Sequence, residues 1–330
     1  MNNFGKLFKI NIFGESHGNS VGILIDGVKP GIELSEEDFV VDISRRKAGK
    51  LGTTPRIETD KVIIDSGVFN GHTTGGAILL RFLNQNTKSK DYSNLLNHPR
   101  PSHADYVAGI KYNGFQDYRG GGSFSGRLTL GLVAAGVVAK KMIPNIEFET
   151  KIINFGGETD TEKFEDVLKQ AIINNDSVGG IVRVIAKNVE TGLGEPYFDS
   201  IESIVSHLLF SVGGVKGVSF GIGFDGVNLP GSKFNDMIVD EQGHTSSNNN
   251  GGINGGISNG NDIIVNAFVK PTPSIFKSQE TYNFKSKQVE KLLIEGRHDA
   301  AIIVRAQVVI EACLAIALAD LTLINNAYKK

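Results

Sequence analysis

Hydrophobic positions in this chain repeat with two periods, one near two residues and one near 3.6. From 7 to 13, LFKINIF alternates apolar and polar in part; from 19 to 27, NSVGILIDG is short, β-branched and bounded by turn residues. Both read as strands. The same signal predicts strands at 61–69, 146–155, 180–189, 217–224 and 263–270, and either a strand or the start of a short helix at 76–82. Helices are predicted at 35–46, 103–112, 160–175, 201–211 and 287–295. Ser35 is the N-cap of the first, with Asp38 three residues on in the place of a capping-box acid. The segment 126–143, GRLTLGLVAAGVVAKKMI, is apolar around most of a helix, which predicts burial on most sides; 300–320 is apolar with helical spacing. The stretch 233–250 is polar and Asn-rich and reads as a mobile loop. Strands adjoin in pairs as often as they alternate with helices. That order argues for a layered α+β fold in a single large domain, not for a doubly wound parallel sheet.

Composition narrows the function. A net charge of −2 over 330 residues gives no global attraction to nucleic acid or to a membrane surface. MNNFGKLFK lacks the apolar core of a signal peptide, and no uncharged apolar stretch is as long as a membrane span. The expectation is a cytoplasmic protein. The single cysteine, Cys313, lies in an apolar helical run and excludes a disulfide framework or a cysteine metal cluster. H-E-x-x-H, C-x-x-C and Walker A patterns are missing too, so no metal site is expected. Glycine is abundant, at 40 residues, and clustered at 120–122, 213–214, 251–252 and 255–256. Such clusters make tight turns or let backbone amides approach a ligand.

Chemistry-bearing residues gather near these clusters. Gly14 to Gly18, GESHG, fits G-x-S-x-G, which would make Ser16 a hydrolase nucleophile if it sat on a strand–turn–helix elbow. The run after it reads as a strand, so the alternative is a hairpin turn. RPSHAD (100–105) joins arginine to histidine, YRGGGSFSGR (118–127) arginine to glycine, and EGRHDAAIIVRA (295–306) all three, while SRRKAGK (44–50) is basic, with Arg56 shortly after. Three of the seven histidines, His17, His103 and His298, fall in these motifs. Guanidiniums and glycine loops suit an anionic ligand, and imidazoles can transfer protons near neutral pH.

In order and spacing, FGESHG, RRKAG, SGVFNGHTTG (66–75), RPSHADY, KYNGFQDYRGGG (111–122), GGINGGISNG (251–260), KPTPSI (270–275) and GRHDAAIIVRA make the chain resemble the chorismate synthase family over essentially its whole length. The resemblance implies a β-α-β sandwich with helices between antiparallel sheets, and usually a homotetramer. It implies a carbon–oxygen lyase that converts 5-enolpyruvylshikimate 3-phosphate to chorismate and phosphate by anti 1,4-elimination, the last step of the shikimate pathway to aromatic amino acids. Reduced FMN is required without net redox change. No nicotinamide domain is evident, so an external flavin reductase is expected as partner, with NADP as its associated nucleotide. By the same resemblance His17 protonates the departing phosphate, His103 keeps the flavin in its needed protonation state, and Asp299 helps the flavin accept the substrate proton. Ser16, Arg46, Arg56, Arg100, Arg127 and Arg297 bind substrate, with Arg45, Lys47 and Lys50 adding to the field. The flavin draws on Ser123, Phe124, Ser125, Gly213, Gly214, Gly255, Lys270, Pro271, Thr272, Pro273, Ser274 and Arg297. The chain departs from the family's GGGRSSARET: Ser123 replaces an arginine, Phe124 a serine and Leu128 a glutamate. Gly52 stands near another missing arginine and Lys47 where a third is common. A flavin- or phosphate-binding homologue with impaired catalysis is therefore the alternative, and a serine hydrolase using Ser16 the more remote one.

Overall fold

The computed structural model describes residues 2–54, 58–86, 95–294, 296 and 298–329; Arg56 and Arg297 lie outside the described residues. The chain begins with β1 (Asn3–Phe4), β2 (Lys9–Gly14), β3 (Ser20–Asp26) and helix α1 (Val40–Arg46), followed by β4 (Ile63–Ser66), β5 (Val68–Phe69), β6 (His72–Thr73) and β7 (Ile78–Leu83). Next come α2 (Asp105–Lys111), α3 (Thr129–Met142), β8 (Glu147–Phe155), α4 (Phe164–Ile173), β9 (Gly180–Lys187), α5 (Ile201–Phe210) and β10 (Val215–Phe220). The chain finishes with α6 (Gly231–Phe234), β11 (Ile253–Asn254), β12 (Ile257–Ser258), β13 (Ile263–Val269), β14 (Gln279–Asn283), β15 (Gln288–Leu292) and α7 (Ile303–Tyr328).

Two antiparallel sheets dominate, one ordered β1-β2-β3-β7-β4 and the other β10-β13-β9-β8. Register places Ile23 between Ile12 and Leu80 in the first, and Val184 between Val265 and Thr150 in the second. With a side-chain period of two, each sheet turns one apolar face inward: Val21, Ile23, Ile25, Ile78, Leu80 and Phe82 from the first; Val182, Val184, Ala186, Ile263, Val265 and Ala267 from the second. Helices α3 and α7 fill the layer between. α3 packs on β3 and α7, and α7 packs on β8 and β9. Gly136 and Ala312 face one another where the two helices cross, so their axes approach closely. This β-α-β sandwich explains why 126–143 is apolar around its circumference: every position from Leu130 to Ala139 is buried.

α7 has the length and mean hydropathy, 2.0, of a bilayer-crossing helix, yet 78% of its most apolar window is buried inside the protein. Its two buried carboxylates are satisfied there. Asp320 accepts the backbone N–H groups of Lys6, Leu7 and Phe8, fixing the first strands to the central layer. Glu311 accepts from Arg45, Lys140 and Thr150.

Two expectations need comment. The helix predicted at 287–295 is instead strand β15, paired with β14 around a turn in which Lys287 adopts φ 60°. QVEKL alternates as well as it spirals, and the partner strand decides. The 233–250 segment starts at the end of α6 and is organised by Asp236. That carboxylate accepts Ser247 Oγ–H, the backbone N–H groups of Asn249 and Asn250, and the Asn250 amide.

Candidate active site

The GESHG stretch is the turn of the β2–β3 hairpin, not an elbow that leads into a helix. Ser16 is 1% exposed and its N–H donates to Gly122 O, so the turn is laid against the triple glycine. This overturns the geometry that the hydrolase reading needs. Gly120 has φ 59°, and a methyl group built on it would lie 2.2 Å from His17 Cε1. Only glycine lets the loop run beside the imidazole.

His17 and Ser16 open into a cavity of about 190 Å³. It brings together residues from at least six separated stretches, among them Arg46, Arg100, Arg127, Asp299 and Arg305. Arg46, at the end of α1, is 3% exposed; it donates to Thr129 Oγ1 and Gly126 O, and its Nη1 has no hydrogen-bond partner among the described residues. Burial, and then repulsion from Arg305 and Arg127, push its pKa down to about 9. A buried cation of this kind calls for an anion. Arg127 sits just before α3. Its Nη1 donates to Asp60 at 2.8 Å, Nη2 to Leu83 O, and Nε to Asn84 Oδ1. Asp299 accepts the Thr54 N–H at 2.8 Å and pairs with Arg305, whose Nε donates to Arg46 O.

Arg100 carries the wall toward the second histidine. It forms a two-pronged ion pair with Asp105 at 2.7 and 2.8 Å and donates to Ser274 Oγ at 3.0 Å. His103 Nδ1 lies 2.7 Å from Asp105 Oδ1 and 3.0 Å from Arg100 Nη2. A guanidinium and Nδ1–H are both donors and the carboxylate can only accept. Nδ1 therefore carries its proton toward Asp105, and Nε2 is left for the site, 3.7 Å from a methyl built on Gly121. Burial opposes ionisation of Asp105, but hydrogen bonds from Arg100 and His103 outweigh it and hold the carboxyl well below the usual carboxylate range. His103, Phe124 and Gly121 line a neighbouring cavity of about 210 Å³.

Of the other expected residues, Ser125 and Gly213 line the His17 cavity, and Ser125 Oγ caps the turn that leads to α3 by accepting Arg127 N–H. The 270–274 segment docks on the Arg100–His103 turn. Lys270 Nζ donates to Ser102 O at 2.7 Å and its N–H to Gly214 O, while Pro271, Thr272 and Pro273 continue to Ser274. Burial and Lys216 lower the Lys270 pKa. Ser123 and Gly255 line neither cavity; Gly255 lies in the β11–β12 hairpin, which packs on the loop before α5. Arg45 turns away, to Glu311 and Asp42. Gly52 has φ 76°, and a Cβ there would lie 2.5 Å from Leu168, so this backbone has no room for an arginine at that position. Sequence reasoning missed Asp60, Asp105 and Arg305 as site residues. Two of them lie within motifs already singled out; Asp60 has no motif, and its positive φ of 49° is visible only in the fold.

Arg46 with its open Nη1, the surrounding guanidiniums and the unobstructed backbone at Gly213 fit the anionic groups of a sugar-acid phosphate and of a flavin nucleotide. The family profile described as chorismate synthase matches residues 8–323. A chorismate synthase of Chitinophaga pinensis is 52% identical over 99% of this chain and 98% of its own length. One from Dehalococcoides mccartyi is 43% identical over 98% of this chain and 96% of its own. A solved structure described as a crystal structure of chorismate synthase superimposes with a TM-score of 0.76 at 27% identity, covering 97% of this chain and 93% of that one. A shared profile, two long alignments and the sandwich around a cationic cavity agree: the chain belongs to the chorismate synthase family of carbon–oxygen lyases.

Proposed function

We propose that the cationic cavity binds 5-enolpyruvylshikimate 3-phosphate beside reduced FMN and carries out an anti 1,4-elimination that yields chorismate and phosphate. The observation that supports it most is the convergence of His17, Arg46, Arg100, Arg127 and Asp299 on one wall system. When bound, reduced FMN supplies electron density to the breaking C–O bond and recovers it, so the reaction has no net redox change. Arg46, Arg100, Arg127 and Arg305 neutralise the substrate's phosphate and two carboxylates, with Arg56 and Arg297 as further candidates from the sequence. Preorganised cations in a buried site stabilise charge on a leaving group more strongly than water does. Ser16 orients substrate. His17 gives a proton to the departing phosphate oxygen, a general-acid contribution of about 10²–10⁴-fold. His103, held at Nδ1 by Asp105, would use Nε2 to keep bound reduced FMN in the protonation state the reaction needs. Asp299, fixed by Thr54 and Arg305, would help bound reduced FMN accept the proton that leaves the substrate.

Ser125, Gly213, Gly214, Lys270 and Ser274 with Arg297 form the cofactor side. We further propose a homotetramer, a cytoplasmic location and an external flavin reductase. The decisive experiment incubates the protein anaerobically with the substrate and photoreduced FMN. Chorismate absorbance with stoichiometric phosphate release is expected; FMN binding with neither product would leave only a binding protein. His103→Ala is expected to lose at least about tenfold in rate, about 1.4 kcal/mol of barrier, and wild-type turnover in that variant would remove the role given to it.

A further inference from the structure

Asn84 stands just past the end of β7, at the edge of the first sheet. No motif singled it out. Its side chain joins two parts of the site. Arg127 Nε donates to Oδ1, and Nδ2 donates to two carbonyls of the histidine turn, Glu15 O at 3.0 Å and Gly18 O at 2.8 Å. Its backbone N–H donates to Asn19 O at 3.0 Å. Gly18 N–H donates to Glu15 O, so the two carbonyls gripped by Nδ2 close the four-residue turn that carries His17. A guanidinium can only donate and a carbonyl only accept, so the carboxamide has one orientation that satisfies all three partners. Arg127 is in turn held by Asp60 and Leu83 O.

We propose that Asn84 is a positioning residue that locks the His17 turn to Arg127, so that the proton donor and the cation that receives the leaving group's charge are held as one unit. This rests on the reading of His17 as the general acid. Asn84→Asp keeps the shape and the Arg127 contact but removes the two donors and sets a carboxylate against the carbonyls of the turn. Asn84→Ala removes the link without adding charge.

The test is a cycle of Asn84→Asp, His17→Gln and the double variant in the anaerobic elimination assay, with imidazole NMR titration of Asn84→Ala as an independent measurement. Asn84→Asp should lower kcat at least about tenfold with KM changed less than about threefold, the pattern of an interaction that matters in the transition state. In the His17→Gln background it should cost almost nothing more, because both substitutions remove the same function. The His17 titration midpoint should move in Asn84→Ala while the other histidines keep theirs. Additive losses, or an unmoved His17 titration, overturn the clamp. Wild-type turnover of His17→Gln overturns instead the assignment of the general acid, whatever Asn84 does.

Discussion

At the scale of single residues, most of the site's guanidiniums are held by carboxylates, Arg127 by Asp60, Arg100 by Asp105 and Arg305 by Asp299, and one is not. That one is Arg46, buried, lacking a partner at Nη1 among the described residues, and pressed by Arg305 and Arg127. Exchanging buried charge for an apolar side chain of similar volume is often neutral or stabilising, because the desolvation penalty goes with it. Arg46→Met should therefore unfold at a temperature no lower than wild type, because Thr129 Oγ1 retains its bond to Gly126 O. Turnover should nevertheless fall about 10²-fold or more, the scale seen when one oriented donor to developing charge is lost. Differential scanning calorimetry and the elimination assay check the two halves; a variant that is both less stable and fully active would contradict them. The residues of this scale were partly legible in the sequence. His17, His103, Arg100 and Arg127 stand in short motifs that combine histidine, arginine or glycine, whereas Asp60 is marked only by its backbone conformation and its partner 67 positions away.

Among the elements, the central helices carry the stability of the sandwich and one of them carries a charge cluster. Glu311 on α7 is buried against Arg45 of α1, Lys140 of α3 and Thr150 of β8, so it ties both helices to the second sheet. Its carboxyl is pushed down to about 2: burial works the other way, but Arg45, Lys140 and Thr150 prevail. A carboxyl depressed on folding adds stability that is complete above its unfolded value, near 4.5, and lost as the pH falls toward 2. The contribution is about 3 kcal/mol at neutral pH. Glu311→Gln should lose stability of that order in urea at pH 7, and its stability should change less than wild type between pH 4.5 and 2. Parallel pH profiles for the two proteins would contradict this. The apolar pattern predicted the burial of α3 and α7. It could not show that Arg45 faces this cluster and not the cavity, since neighbouring positions on one short helix turn point to different partners. For the same reason the pattern at 287–295 did not reveal its strand: β14, the partner that makes it one, begins eight residues upstream and has no strong period of its own.

For the whole molecule, the two sheets and the helices between them act as a frame on whose edge loops from distant parts of the chain meet. The cavity joins the β2–β3 turn, the end of α1, the approach to α3, the end of α5 and the start of α7. A polyanion that binds only this folded arrangement must stabilise it by mass action. Inorganic phosphate at about ten times its Kd should raise the unfolding temperature by about 2 °C more than chloride at equal ionic strength, and the difference should vanish in Arg46→Met. Equal shifts for both salts would mean that general screening, not the cavity, is responsible.

The sequence alone determined the layered α+β fold, the buried helices and the motif series that marks the family, because hydrophobic period and motif order are local properties of the chain. Tertiary structure alone decided which cations face the cavity, which carboxylates hold them, and how Asn84 joins the histidine turn to Arg127. Those relations depend on side-chain direction and on contacts between residues tens to hundreds of positions apart, and no local pattern records them.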